Sequence, residues 1–408
     1  MSNSTLKIYF PGLNGLRFFA AFAVIFTHVE LMKKFLGFGS HWLDLNNLKA
    51  ETPLQAVLNK EVSILSPYIA NAGPLGVTMF FVLSGFLITY LLFAERRETG
   101  KIDIKQFYIR RILRIWPLYF FLTFLGFFVF PKIEVFRVPI QERFFLMDFN
   151  ENLILFLLFF PNLAFSIYRS AIPNIGHLWS IGVEEQFYLI WPWVITKAKN
   201  FLRTIVIFIF VIIAIKAGIL FLSIFIHADW LVVLKKFMAM SKLECMAIGA
   251  LGAYYLFHEN KRILDFIYKP WVFVLSILII LFGLLIVPMR IQDGAHLLYS
   301  LCFLIVILNV SSNPKSLLNF EYPIFSFLGK ISYGIYMYHM AVAALVLHLA
   351  RDTWKFGLDL KPVESLIVYS SVVLITILVA TVSYYLIELP FIRRKKKVSS
   401  ILSGDNAK

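Results

Sequence analysis

The chain reads as an all-α polytopic membrane protein of about ten transmembrane helices, with both termini cytoplasmic and a central cavity between the helices. Three observations predict this. Hydrophobic residues make up 60% of the 408 residues and charged residues only 15%, with 43 Phe and a mean hydropathy of +0.78. Soluble chains sit near about 45–50% apolar and about 25% charged, and their interiors cannot hold so much apolar surface. Apolar runs of about 20 residues, the length that crosses a bilayer, recur along the chain. Between them lie short basic runs, as membrane topology requires. This composition excludes a disordered chain, a disulfide-stapled secreted domain and an ordinary cytosolic enzyme. The net charge of +15 forms no single basic face, so no nucleic-acid partner is expected.

Ten segments qualify as spans: 14–34, 73–94, 112–130, 178–196, 204–226, 238–257, 271–288, 294–310, 324–350 and 364–387. An eleventh apolar stretch, 153–165, is short and carries Pro161-Asn162, and reads as an interfacial or re-entrant piece. With the N-terminus inside, the inner loops hold Arg96, Arg97, Lys101, Lys105, Arg110, Arg111, Lys197, Lys199, Arg203, Lys261, Arg262 and Lys269. The tail adds Arg393 through Lys397. That is roughly twice the Lys/Arg density of the outer loops, in the direction of the positive-inside rule. Residues 1–392 are therefore read as one ten-span domain and 393–408 as a basic cytoplasmic tail touching anionic lipid. The two long outer loops, 35–72 and 131–177, are candidates for a small cap. Cys245 and Cys302 both fall in apolar segments, so neither a disulfide nor a Cys-based metal site is expected.

Ionisable groups inside spans are costly and usually face a cavity or a partner. In the first span, Arg17 and His28 are eleven residues apart, which places them within about 20° on the helical wheel and about 16 Å apart along the axis. One reading is an anion clamp and a proton-transfer group lining one cavity; the other is a snorkelling Arg and a carbonyl-bonded His. In the second span, Ser84-Gly85 permits close helix approach. Before the third, Arg111 and Arg114 share a face at i, i+3, which suits a phosphate or pyrophosphate group. The fourth span opens at His177 and carries Ser180, Glu184 and Tyr188 within an arc of about 80°, with Glu185 turned to a neighbouring face. This spacing matches no usual metal site, and no metal is expected. In the ninth span, Ser332, Tyr336 and His339 share a face, beside Tyr333. Lys216, Lys242, Glu244 and His348 match no arrangement.

Taken together these motifs resemble the acyltransferase-3 family of bacterial membrane O-acyltransferases. The elements are Arg17-x10-His28, Phe80-Phe81-x-x-Ser84-Gly85, Arg111-x-x-Arg114, His177-Leu-Trp-Ser through Tyr188, Ser332-Tyr333-x-x-Tyr336-x-x-His339 and Glu388-Leu-Pro390. The resemblance implies transfer of an acyl group, commonly acetyl, from cytoplasmic acyl-CoA. The acceptor would be a hydroxyl of an extracytoplasmic glycan or glycolipid, at the bacterial inner membrane. Some members carry a C-terminal SGNH-type domain, which is not expected within these 408 residues.

The residues fit that chemistry. Arg17, Arg111 and Arg114 are placed to hold the donor's phosphates, and the donor-binding set also includes Ser84, Ser332 and Tyr333. His28 acts as general base, or as nucleophile through an acyl-imidazole; the base is preferred because nothing demands a covalent step. Glu184 or Glu185 would orient the imidazole, as the acid does in a triad. Tyr333, Tyr336 or His339 would polarise the thioester oxygen. Two other readings compete: a proton-coupled transporter of a glycan precursor or small molecule, using His28 and the glutamates as a relay, and a non-catalytic scaffold. The missing internal repeat counts against the transporter.

Overall fold

A computed structural model of the chain describes residues 6–38, 53–138, 147–168, 172, 174–285, 289–396 and 401–403. The helices are α1 (Leu13–Phe35), α2 (Pro53–Thr99), α3 (Ile104–Phe124), α4 (Phe149–Leu157), α5 (Pro161–Tyr168) and α6 (Trp179–Lys197). They continue with α7 (Phe201–Phe225), α8 (Asp229–Met240), α9 (Leu243–Phe257), α10 (Lys261–Ile267) and α11 (Pro270–Leu285). The last are α12 (Met289–Ser312), α13 (Pro323–Lys330), α14 (Ser332–Asp352), α15 (Pro362–Ser383) and α16 (Leu389–Lys396). α3 runs on into a π-helical turn at Leu125–Val129, and a second π turn, Tyr384–Glu388, joins α15 to α16.

Among the described residues, seven helices are long and apolar enough to cross a membrane, and α10 with α11 makes an eighth span bent by 58°. The chain is a multi-pass membrane protein. The other two expected spans are also helices, but they fall short of that standard. α6 has 19 residues and carries Glu184 and Glu185, while α9 has only 15. The expected span 238–257 is in fact broken at Ser241-Lys242, where α8 ends and α9 begins. Likewise 324–350 divides at Ile331 into α13 and α14. The stretch 153–165 is two short helices, α4 and α5, turned at Phe159, which takes φ 62°.

Spans differ in what they face. Of its apolar window, α14 buries 83% and α7 only 6%, so α14 is central and α7 lies against lipid. The tightest crossing is α2 on α9. A Cβ at Gly85 would stand 1.8 Å from the Met246 carbonyl oxygen, and one at Gly249 2.1 Å from that of Val82. Only glycine allows the two backbones this approach, as Ser84-Gly85 led one to expect.

A feature without a sequence signal is a two-stranded parallel pairing, Leu6–Ile8 with Ile401–Ser403. It brings the two ends of the described chain together on one side of the helices. The expected cap lies in part outside the described residues, at 39–52 and 139–146; part of the loop 35–72 is helix, since α2 begins at Pro53. Within the tail, 397–400 and 404–408 also lie outside them.

Candidate active site

One cavity, with about 930 Å3 of empty space, opens among α1, α2, α3, α6 and α14. Its wall along α2 runs from Val77 to Ile88, eleven residues or about 16 Å of helix. α2 and α3 are joined by the short turn at 100–103, and Arg110 Nη2 meets Glu95 Oε2 at 2.6 Å. Arg111 and Arg114 therefore enter the cavity at the Ile88 end. Arg17 joins them from α1. The expected donor-binding residues Arg17, Arg111, Arg114, Ser84, Ser332 and Tyr333 all line this one space, with Glu184, Tyr188, Ser180 and Tyr336.

Hydrogen bonds fix most of the walls. Tyr188 OH donates to Glu184 Oε2 at 2.9 Å and also bonds the Ser84 hydroxyl, so α2 and α6 share a chain of three polar groups. Tyr333 OH donates to the Ile115 carbonyl at 2.9 Å and Ser332 Oγ to that of Gly329 at 2.7 Å. Arg17 Nη1 donates to Asn14 Oδ1 at 3.0 Å. Arg111 Nε is buried without a hydrogen-bond partner among the described residues. The Arg111 guanidinium lies 5.9 Å from the Tyr188 ring centroid.

At the other end the cavity stops at Ser180 and Tyr336, whose hydroxyls are 2.6 Å apart; Tyr336 OH also lies 3.1 Å from the His177 carbonyl oxygen. Beyond them three imidazoles cluster. The ring centroids of His177 and His339 are 4.6 Å apart, those of His28 and His339 4.8 Å, and those of His28 and His177 6.1 Å. His177 and His339 are buried, at 2% and 1% exposure, whereas His28 is partly exposed.

The tautomers follow from the carbonyls, because a carbonyl only accepts. His339 Nδ1 lies 2.6 Å from the Tyr336 oxygen and must carry a proton. Its Nε2, 2.8 Å from His28 Nδ1, is then the acceptor in the neutral pair. His28 Nδ1–H donates to it, and the lone pair of His28 is left on Nε2. His177 Nε2–H donates to the Met337 oxygen at 3.1 Å, and its buried Nδ1 has no hydrogen-bond partner among the described residues.

Several expectations change. His28 does not line the cavity that holds Arg17; it stands beyond the Ser180–Tyr336 end. Neither glutamate orients it. Glu184 is held by Tyr188, and Glu185 Oε2 accepts from Trp116 Nε1 at 3.0 Å. The partner of His28 is His339, which has both ring nitrogens engaged and so does not face a thioester. Tyr336, one of the three candidates for the thioester oxygen, lines the cavity at this end. The sequence places His177 in a polar arc of its own helix; its carbonyl partner Met337 stands 160 residues along the chain, and no local spacing reveals it or the neighbouring imidazoles.

Outside the cavity, Glu244, Cys245 and His296 bring three ligand-type atoms within 4.8 Å of one another. Glu244 Oε1 is already bonded by Lys216 Nζ and, at 2.6 Å, by His296 Nε2. Glu244 and Lys216 are thus partners within the helix bundle.

Comparison with known proteins agrees with this architecture. A family model described as an acyltransferase domain matches residues 10–385. The O-acetyltransferase OatA of Staphylococcus aureus (strain NCTC 8325 / PS 47) is 30% identical, across 95% of this chain and 58% of the relative. A putative O-acetyltransferase of Staphylococcus aureus (strain COL) is 27% identical, across 96% of this chain and 58% of the relative. The chain thus spans 58% of the length of these curated relatives. No solved structure gives a significant match.

Proposed function

Since the chain belongs to the acyltransferase-domain family, we propose that it moves an acyl group, acetyl in the first instance, from cytoplasmic acyl-CoA to an acceptor hydroxyl. The acceptor is a glycan or glycolipid on the outer side of the bacterial cytoplasmic membrane. The observation that carries this reading is the order of groups along one path: arginines at one end of the cavity, Tyr336 at the other, and His28 past it. A polyanionic head suits Arg17, Arg111 and Arg114. The neutral arm of the donor extends along Ser84, Ser332 and Tyr333 toward Tyr336. His28, partly exposed beyond that point, is open to an acceptor from the other side. The expected metal-free chemistry needs only these groups.

In this reading His339 holds Nδ1–H of His28, and Nε2 takes the proton of the acceptor hydroxyl. The hydroxyl oxygen attacks the thioester carbonyl carbon, and the carbon–sulfur bond breaks. The leaving thiolate takes the proton back from Nε2, so no net proton is gained or lost. The Tyr336 phenol leaves Ser180 and the His177 carbonyl to donate to the thioester oxygen as charge develops there. Glu184 and Glu185 act as counter-charges near the arginines.

The test is mass spectrometry of surface glycans from cells with and without the protein, paired with release of free CoA from acetyl-CoA by the purified chain. An acetyl-sized mass difference that is lost with His28→Ala is the expected result. Full acetylation by His28→Ala would overturn the mechanism, and a mass difference without CoA dependence would overturn the donor.

A further inference from the structure

The two ends of the cavity differ in chemistry, and the end away from the arginines is mostly apolar. Ser84 bonds Tyr188, and Trp191 Nε1 donates to Thr89 Oγ1 at 2.8 Å, so α2 and α6 run side by side in the same direction. Ser180 therefore comes level with Val77, and both line the cavity with the next α6 residue, Ile181. Phe80, one turn on from Val77, meets Tyr336 edge to face, with ring centroids 5.8 Å apart. Val77, Phe80 and Ile181 thus form an apolar wall beside the Ser180 and Tyr336 hydroxyls.

Most of this wall has no room to retreat. A Cβ at Gly76 would stand 2.6 Å from the Ala20 carbonyl oxygen, so α2 is pressed onto α1 beside Val77. A Cβ at Gly182 would stand 2.6 Å from Pro161 Cδ, so α6 is pressed onto α5 beside Ile181. Val77 and Ile181 are buried, whereas Phe80 is only partly buried and lines the cavity. The Phe80 ring is therefore the part of the wall whose removal enlarges the cavity. Arg111 and Arg114 enter at the Ile88 end, and Arg17 joins them; none of these cations reaches the apolar wall.

Building on the acyl-CoA reading, we infer that Phe80, backed by Val77, sets the length of the acyl group. With the thioester carbonyl at Tyr336, the remainder of the acyl group lies against Phe80 and Val77. A two-carbon group places one methyl there. A longer chain meets the Phe80 ring, and close-packed walls do not yield a methylene without strain. A dicarboxylic acyl group is rejected for a second reason, because its free carboxylate would be buried with no cation beside it. Phe80 touches the acyl tail and leaves the bond-making steps to the groups around Tyr336 and His28.

The experiment compares kcat/KM for CoA release by the purified full chain in detergent with acetyl-, propionyl-, butyryl- and succinyl-CoA. For the parent, kcat/KM is expected to fall about tenfold or more with each added methylene. Phe80→Ala is expected to raise the butyryl-to-acetyl ratio about tenfold or more, and to leave succinyl-CoA a poor donor. Leu87→Ala, which widens the cavity toward the arginines, changes all donors alike and leaves the ratio at the parent value. Equal use of acetyl- and butyryl-CoA by the parent overturns the inference, as does a parent-like ratio in Phe80→Ala or an equal rise in Leu87→Ala. Use of succinyl-CoA by Phe80→Ala as readily as butyryl-CoA overturns it too. If Phe80→Ala does not yield folded protein, Phe80→Leu decides: its propionyl-to-acetyl ratio must rise, and an unchanged ratio overturns the inference. Release of CoA from none of the four donors by the parent overturns the acyl-CoA reading as well. Release from acetyl-CoA without a response to Phe80 overturns this inference alone.

Discussion

His339→Phe tests the imidazole pair most directly. Phe fills nearly the same space in the buried site but removes the acceptor for His28 Nδ1–H, now 2.8 Å away. A neutral hydrogen bond of this kind is worth about 0.5–1.5 kcal/mol net, and a buried donor left without a partner costs about 1–3 kcal/mol. Released from its partner, His28 also loses the preference that keeps its lone pair on Nε2. Carried into the transition state, the unpaired-donor cost alone corresponds to a fall in kcat of about five- to 150-fold, at or below the low end of the range of about 10²–10⁴ spanned by general-base catalysis itself. KM for acetyl-CoA stays near the parent value, because His339 does not line the donor cavity. The assay is the initial rate of CoA release over a range of acetyl-CoA concentrations, with thermal unfolding as the control for folding. His339→Gln, whose amide oxygen again accepts, recovers part of the loss. In the double variant with His28→Ala, His339→Phe adds nothing further, since the two act as a unit. Parent kcat in His339→Phe, or a rise in KM alone, refutes the reasoning.

Three more outcomes follow from the geometry. Tyr336→Phe removes the phenol that bonds Ser180 and the His177 carbonyl; kcat is expected to fall about a hundredfold with KM little changed, the size of losing one oxyanion donor, read in the same CoA-release assay. Arg111→Gln removes a charged donor from the cavity and should raise KM for acetyl-CoA about tenfold, with the parent's KM rising with salt more steeply than the variant's. Gly85→Val drives a side chain into the backbone of α9, 1.8 Å from the Met246 oxygen at the Cβ alone; the protein should fail to run as a single species in size-exclusion chromatography, whereas Ser84→Ala should not disturb it.

Periodicity carried much of this architecture. Arg17 and His28 share a face of α1 because eleven residues nearly complete three turns, and Ser180, Glu184 and Tyr188 line one cavity for the same reason. Two kinds of feature lay beyond that signal. The helix breaks at Ser241-Lys242 and Ile331 contain neither Pro nor Gly, so a hydropathy window reads straight through them. Pairings between distant spans were also hidden. His28 and His339 are 311 residues apart, and Lys216 meets Glu244 across two different helices. A carboxylate is the usual orienter of an imidazole, which makes the glutamates the natural expectation beside His28. In the fold a second imidazole has that place, and the glutamates turn toward Tyr188 and Trp116.

The distribution of unsatisfied charge separates structural from functional ionisable groups. A charge kept in lipid must be paired or serve a purpose, and in several places an opposite charge is bonded directly. Glu95 holds Arg110 at 2.6 Å, Glu30 holds Lys33 at 3.0 Å, and Glu244 holds Lys216. Removing one partner of such a pair leaves a buried charge alone, so these residues stabilise the bundle whatever its activity. Around the cavity the pattern reverses. Arg111 Nε, Glu185 Oε1 and both oxygens of Glu388 have no hydrogen-bond partner among the described residues. Arg111 Nε is the one donor among them, and it lines the cavity with Arg114 and Arg17, a set that suits an anionic ligand whose oxygens accept from arginine.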